Sequence, residues 1–158
     1  YQSTTSHTLR TAARLLDTGI DSARLSRLLF DDEPLVALVM MGDAVSRATL
    51  VPGAASGQGL VYTSVSIEQR PGLDELAVER VIESLRKTSE AEVAAVLKHA
   101  DDGHWQESLR SKTTINVGAL ANELGGGGHK HASGYSSTVD LDKTVAQLIE
   151  SLDAMSVR

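Results

Sequence analysis

Four consecutive glycines at positions 125–128, followed at once by His129, constrain the chain more than any other feature. Glycine in a helix or strand interior costs about 0.5–1 kcal/mol relative to alanine, so four in a row end the regular element before them. Two readings of the run are open. One is a helix stop and a flexible turn, because Val117, Leu120, Ala121 and Leu124 recur at helical spacing just upstream, with Asn116 as their cap. The other is an anion nest, in which Gly126, Gly127 and Gly128 turn unshielded amides inward and let anionic oxygens approach the backbone. His129, Lys130 and His131 add donors beside such a loop. The small residues Ala132, Ser133 and Gly134 leave room for a ligand or a second stretch of backbone.

A second polar element precedes the run. Residues 105–112 read as a strand that comes after a turn at Asp101-Asp102-Gly103. On that strand Ser108, Arg110 and Lys112 share one face, while Trp105, Glu107 and Leu109 share the other. Arg110 offers a planar fork to a phosphate and Lys112 a point charge beside it. A solvated polar strand face accounts for the same spacing equally well.

The surrounding pattern supplies a frame for these two elements. Ser6 sits where a helix cap belongs, ahead of Leu9, Ala12, Ala13 and Leu16, and Gly19 closes that helix. A second short helix carries Leu25, Leu28 and Leu29, and a third is expected over residues 35–50 with Pro34 in its first turn. These three form an N-terminal helical block, separated by a loop at residues 52–59 from the rest of the chain. From Leu60 the period changes. Val61, Thr63, Val65 and Ile67 alternate as a strand, and Val78, Val81, Ile82 and Leu85 come next at helical spacing. An apolar run over residues 93–97, a strand near 132–139 and a last helix with Val145, Leu148, Ile149 and Leu152 complete an α/β pattern of sheet covered by helices.

The formal net charge of -6 argues against broad attachment to long nucleic acid, which draws its free energy from many Lys and Arg contacts. It permits a small phosphate-bearing ligand, because the field at a glycine loop with one or two basic residues is local. Phe30 and Trp105 are the only phenylalanine and tryptophan, so no series of stacking platforms for a long single strand is present. With no cysteine there are neither disulfides nor thiolate metal sites. No apolar run reaches the roughly 20 residues of a membrane span and the N-terminus lacks a secretory pattern, so a cytoplasmic location is expected. Asp101, Asp102 and His104, and likewise Asp31, Asp32 and Glu33, lie at expected turns or helix ends, where acidic residues serve as caps, and are not read as metal ligands.

Ser108-Leu109-Arg110-Ser111-Lys112, an intervening helix, and the run from Gly125 through His129 to Ala132-Ser133-Gly134 together resemble the DHH-associated domain of DHH-type phosphoesterases, over residues 60–154. Bacterial nano-RNases, which also dephosphorylate 3'-phosphoadenosine 5'-phosphate and cleave dinucleotides, are nearest in pattern. RecJ-like single-strand exonucleases share the glycine-histidine element and are the alternative, as is a stand-alone nucleotide-binding module. The resemblance implies a mixed β-sheet flanked by helices over residues 60–158, preceded over residues 1–51 by a helical segment that closes the catalytic domain and links the two. It implies that two manganese ions and their Asp and His ligands belong to a catalytic domain absent from this chain, which itself holds no metal, no cofactor and no catalytic residue. Arg110, Ser111 and Lys112 would contact phosphate or sugar, and Gly126, Gly127, Gly128 and His129, with Ala132, Ser133 and Gly134, would surround the terminal group. His129 would donate to the phosphate, with an assisting role in the displacement ranked below that. His131 departs from the residue usual at its place, and a surface histidine is the reading we give it. The expected partners are short RNA, a dinucleotide or a phosphorylated nucleotide, with no membrane, and a homodimer is left open.

Overall fold

The computed structural model describes residues 4–66, 75–100 and 103–155. Residues 1–3, Ile67 of the expected strand, Asp101 and Asp102 of the expected turn, and the side chain of Val78 lie outside the described part. The chain divides into two units, Tyr1–Leu35 and Val36–Arg158.

The first unit holds α1 (Ser6–Asp17) and α2 (Ser22–Phe30). Thr5, one residue ahead of the expected Ser6, caps α1 by accepting from the Thr8 N–H at 3.2 Å, and Asp21 caps α2 by accepting from the Arg24 N–H at 2.9 Å. Gly19 takes φ +85° after α1, the conformation expected of a helix stop. Neither helix has a buried residue, and Leu9, Leu16, Leu25, Leu28, Leu29 and Phe30 are exposed.

All of α3 (Leu35–Ser46) except Leu35 lies in the second unit, where Ala37, Met40 and Ala44 share a core with Val61 and Val65. The helix also ends earlier than its apolar run suggests. Thr49, a β-branched residue, opens β1 (Thr49–Val51), whose pairing with β2 (Leu60–Val65) satisfies backbone groups that a longer helix would otherwise use. Between them α4 (Ala54–Gly57) is a tight turn with Ala55 and Ser56 at positive φ, where a plain loop was expected. The Ser56 N–H donates to the Asp153 carboxylate at 3.0 Å. The remaining elements are α5 (Glu75–Leu85), β3 (Val93–His99), β4 (Trp105–Ser111), α6 (Val117–Glu123), β5 (Gly127–His129), β6 (Ala132–Ser137) and α7 (Leu141–Met155).

The six strands form one mixed sheet in the order β1-β2-β3-β4-β6-β5. Only β2 and β3 run parallel, joined by the crossover that contains α5, as the alternating pattern requires. The central strand β3 is buried on both faces, which explains why Val93 to Leu97 read as a continuous apolar run. Ala94 and Val96 face α3 and α5, together with Val81, Ile82 and Leu85. Val93, Ala95 and Leu109 face the other way, into a second core with Leu120, Leu148 and Leu152 of α6 and α7. Among the described residues no helix is long and apolar enough to cross a membrane.

The glycine run divides between two elements. The Gly125 N–H bonds to the Asn122 carbonyl at 3.2 Å and the Gly126 N–H to the Ala121 carbonyl at 2.7 Å, a Schellman turn with Gly125 at φ +82°. Gly127 and Gly128 then enter β5, the edge strand, paired with Gly134 and Ser133 of β6. The run is thus a helix stop continued as a strand. Gly126 is required for a different reason from Gly125: a Cβ there would stand 2.1 Å from the Gly134 carbonyl oxygen and 2.5 Å from the Tyr135 Cβ. We therefore expect Gly126→Ala to destabilise the chain by about 1–3 kcal/mol, the usual cost of overpacking. Urea unfolding should show a lower midpoint at unchanged slope, and an unchanged midpoint would contradict this packing.

Candidate functional site

The strand β4 sets the site. Its alternation aims Ser108 and Arg110 at the face that carries α5, because their cross-strand partners Val96 and Ala94 belong to that core. Past the edge of α5 this face opens into a groove of about 570 Å³, floored by β4, β6 and β5. Arg110, Ser108, Gln106 and Lys98 line it from one side, and Gly126, Gly127, Ala132, Ser133 and Gly134 from the other. The volume lies in the range of small-ligand pockets.

Arg110 is held on three sides. Its Nε donates to Glu83 at 3.2 Å, its Nη2 to Glu79 at 2.9 Å and its Nη1 to the Leu109 carbonyl at 3.1 Å. A guanidinium has five N–H groups, so two stay available to a ligand. Glu79 is the hub: it also accepts from the Ser108 hydroxyl at 2.9 Å, and the Lys98 ammonium stands 3.5 Å from the same oxygen. Burial by itself would raise the Glu83 carboxyl, but bonds and charge from Arg86 and Arg110 outweigh it and hold the group below its usual range. The side chain is therefore an anion at neutral pH.

Several expected site residues are brought together and others are not. Arg110, Gly126, Gly127, Ala132, Ser133 and Gly134 line one groove, whereas Ser111, Lys112, Gly128 and His129 lie outside it. The Ser133 hydroxyl is committed to the Val117 carbonyl at 2.7 Å, on the face away from the groove. Ser111 is buried and donates to the Ile115 carbonyl at 2.7 Å. Lys112 Nζ bonds the Thr88 carbonyl, and its N–H bonds the Glu92 carbonyl at 3.1 Å. His129 is exposed on the edge strand β5, whose outer side presents backbone groups with no neighbouring strand. His131 is partly buried, unlike the surface histidine expected. Its Nδ1 is 2.9 Å from the Ser111 hydroxyl, whose one proton goes to Ile115, so Nδ1 carries a proton and donates.

Glu79, Glu83, Lys98 and Gln106 escaped the sequence reading. The two glutamates are four residues apart on α5, a spacing that places them on one helix face, and that was the available signal. Lys98 extends the apolar run of β3, where it passes for the end of a buried strand.

Glu107 occupies the opposite face of β4, across from Tyr135, and is only 2% exposed. Neither its carboxylate nor the Tyr135 hydroxyl has a hydrogen-bond partner among the described residues. Burial pushes the Glu107 carboxyl up to about 8, and burial together with the Glu107 charge pushes the Tyr135 hydroxyl up.

With this geometry in view, comparison with known proteins places the chain. Residues 57–155 match the family described as DHHA1 domain, and the chain belongs to that family. A protein of Streptococcus mutans described as a probable bifunctional oligoribonuclease and PAP phosphatase, NrnA, is 28% identical over 137 residues, covering 87% of this chain and 43% of the relative. The bifunctional oligoribonuclease and PAP phosphatase NrnA of Thermus thermophilus is 29% identical over 154 residues, covering 96% of this chain and 44% of the relative. The chain thus spans less than half the length of these curated relatives. The crystal structure of an exopolyphosphatase-related protein from Bacteroides fragilis superposes with a TM-score of 0.87 at 20% identity, over 99% of this chain and 46% of that one, and shows the same fold. The family expected from the Arg110 strand and the glycine-histidine run is the family found.

The Glu107 environment has a measurable signature. Its folded-state pKa lies above the ordinary 4.5, so the folded chain binds the proton more tightly than the unfolded chain. This contribution to stability is complete below pH 4.5 and is lost as pH rises toward about 8. Glu107→Gln, which stays neutral, is expected to flatten that fall and to exceed the parent's stability at pH 8. Urea unfolding at pH 5, 6.5 and 8 checks this, and parallel profiles for parent and variant would refute it.

Proposed function

We propose that the groove beside Arg110 grips the terminal phosphate of a short nucleotide ligand, namely a short RNA, a dinucleotide or 3'-phosphoadenosine 5'-phosphate, as the substrate-binding part of a phosphoesterase. The observation that carries this reading is the three-point anchoring of Arg110 with two N–H groups left over, in a groove whose other wall is built from glycine and alanine. An anchored guanidinium loses little freedom on binding, and phosphate oxygens match its fork. The descriptions of the two curated relatives, oligoribonuclease and PAP phosphatase, favour a ligand of this class. Trp105 supports a short ligand over a long single strand, because its ring packs on His99 with centroids 4.9 Å apart and so is already engaged.

Hydrolysis in this reading depends on two manganese ions held by another domain of the parent protein. Among the described residues no three His, Asp or Glu side chains are grouped to hold a metal, so the residues present do not fit that centre and no step of the displacement is assigned to them. The exposed apolar residues of α1 and α2 support a further domain packing there. His129 is exposed on β5 outside the groove lining, so in this reading it would donate only to a part of the ligand that extends past the groove.

Titration of the 158-residue chain with a 5'-phosphorylated diadenylate tests the grip. Arg110→Ala should weaken binding by about tenfold to a hundredfold, the worth of hydrogen bonds to a charged group, and Arg110→Lys should recover part of it. Equal affinity of parent and Arg110→Ala would refute the assignment.

A further inference from the structure

The cations of the groove are paired with acid. Arg110 meets two carboxylates, Glu79 at 2.9 Å and Glu83 at 3.2 Å, and Glu79 also faces Lys98 at 3.5 Å. Glu79 is one-third exposed and Arg110 about one-fifth, so this network borders the groove where a ligand would enter. Arg110 also lines the groove, and two of its N–H groups are used neither by these carboxylates nor by the Leu109 carbonyl. A phosphate that takes those donors shares the guanidinium with the carboxylates. A second phosphate joined directly to the first adds negative charge close to Glu79, which lines the groove, at a separation short against the Debye length of about 8 Å. Beyond Lys98, whose charge already faces Glu79 at 3.5 Å, the groove wall offers Gln106 and Ser136, uncharged groups that suit a sugar or a base.

Resting on the phosphate-grip reading above, we propose that Glu79, seconded by Glu83, determines specificity: it positions Arg110 and limits the positive charge of the groove, so that the site accepts a nucleotide with a single terminal phosphate and disfavours a polyphosphate. An Arg–Lys groove without these carboxylates would favour the more highly charged ligand. With them, the gain from each added phosphate is offset by repulsion from α5. Glu79 acts through Arg110 and through the field, and is a positioning residue.

The test is calorimetric titration of the whole chain with adenosine 5'-monophosphate and with adenosine 5'-triphosphate, in metal-free buffer, for the parent, Glu79→Gln, Glu83→Gln and Arg110→Ala. Glutamine removes the charge and keeps one acceptor oxygen, enough for Arg110 or for Ser108 but not for both. The parent is expected to bind the monophosphate at least as tightly as the triphosphate. Glu79→Gln should raise triphosphate affinity by about fivefold or more and change monophosphate affinity by less than about threefold, the scale of one removed charge pair near water. Glu83→Gln should move the same way by a smaller factor, and it decides the matter if Glu79→Gln does not fold. An equal change for both ligands, or a loss of triphosphate affinity, would overturn the charge-limiting role while Arg110→Ala still reports on the grip. If the parent and Arg110→Ala bind the monophosphate alike, the grip itself fails, and this proposal with it.

Discussion

Among the described glycines the tightest passage is that of Gly126 over the Gly134 carbonyl, where a single added carbon would stand 2.1 Å from the oxygen. This contact lets α6 turn directly into β5 and lets β5 lie against β6, so that the sheet ends in an edge strand beside the groove. Gly134 carries the same constraint one layer further, because a Cβ there would stand 2.5 Å from the Glu107 carbonyl oxygen. Backbone meets backbone across β4, β6 and the α6 turn. The groove is open because these positions have no side chains to fill it.

On this framework the two faces of β4 separate two kinds of chemistry. Toward α5 are Ser108 and Arg110, joined to Glu79 and Glu83 in a network that leaves two of the Arg110 N–H groups for a ligand. Toward α7 are Leu109, in the apolar core, and Glu107, which lacks a partner among the described residues and is held in the protonated form by burial. The same strand thus presents a charged, hydrogen-bonding surface to the groove and, to the core, an acid with no partner among the described residues. The alternation of side chains with period two is what keeps these environments apart.

Much of this was legible in the residues. The alternation from Leu60 and the helical spacing of Val81, Ile82 and Leu85 identify β2 and α5, and Asn116 caps α6 as expected, accepting from the Ala119 N–H at 3.0 Å. Arg110 and the small residues at 132–134 do come together. What could not be read depends on side chains distant in sequence. Nothing local reveals that Ser111 donates to Ile115, that Lys112 reaches the Thr88 carbonyl, or that Glu79 meets Arg110 across 31 residues. The glycine run was ambiguous because a helix stop, a strand that must pack closely and an anion nest all select the same residue. In the structure the run ends α6 and enters β5, and Gly126 and Gly127 also line the groove that Arg110 borders.

The most direct measurement is a nuclear magnetic resonance titration of the chain with adenosine 5'-monophosphate, following backbone amides and the Arg110 Nε–H. Perturbations are expected to concentrate at Arg110 Nε, Gly126, Gly127 and Gly134, saturating together with one affinity. Perturbations confined instead to the cavity at Gln58, Thr114 and Asn116, on another part of the surface, or no change in the Arg110 resonance at saturating nucleotide, would contradict a grip centred on Arg110.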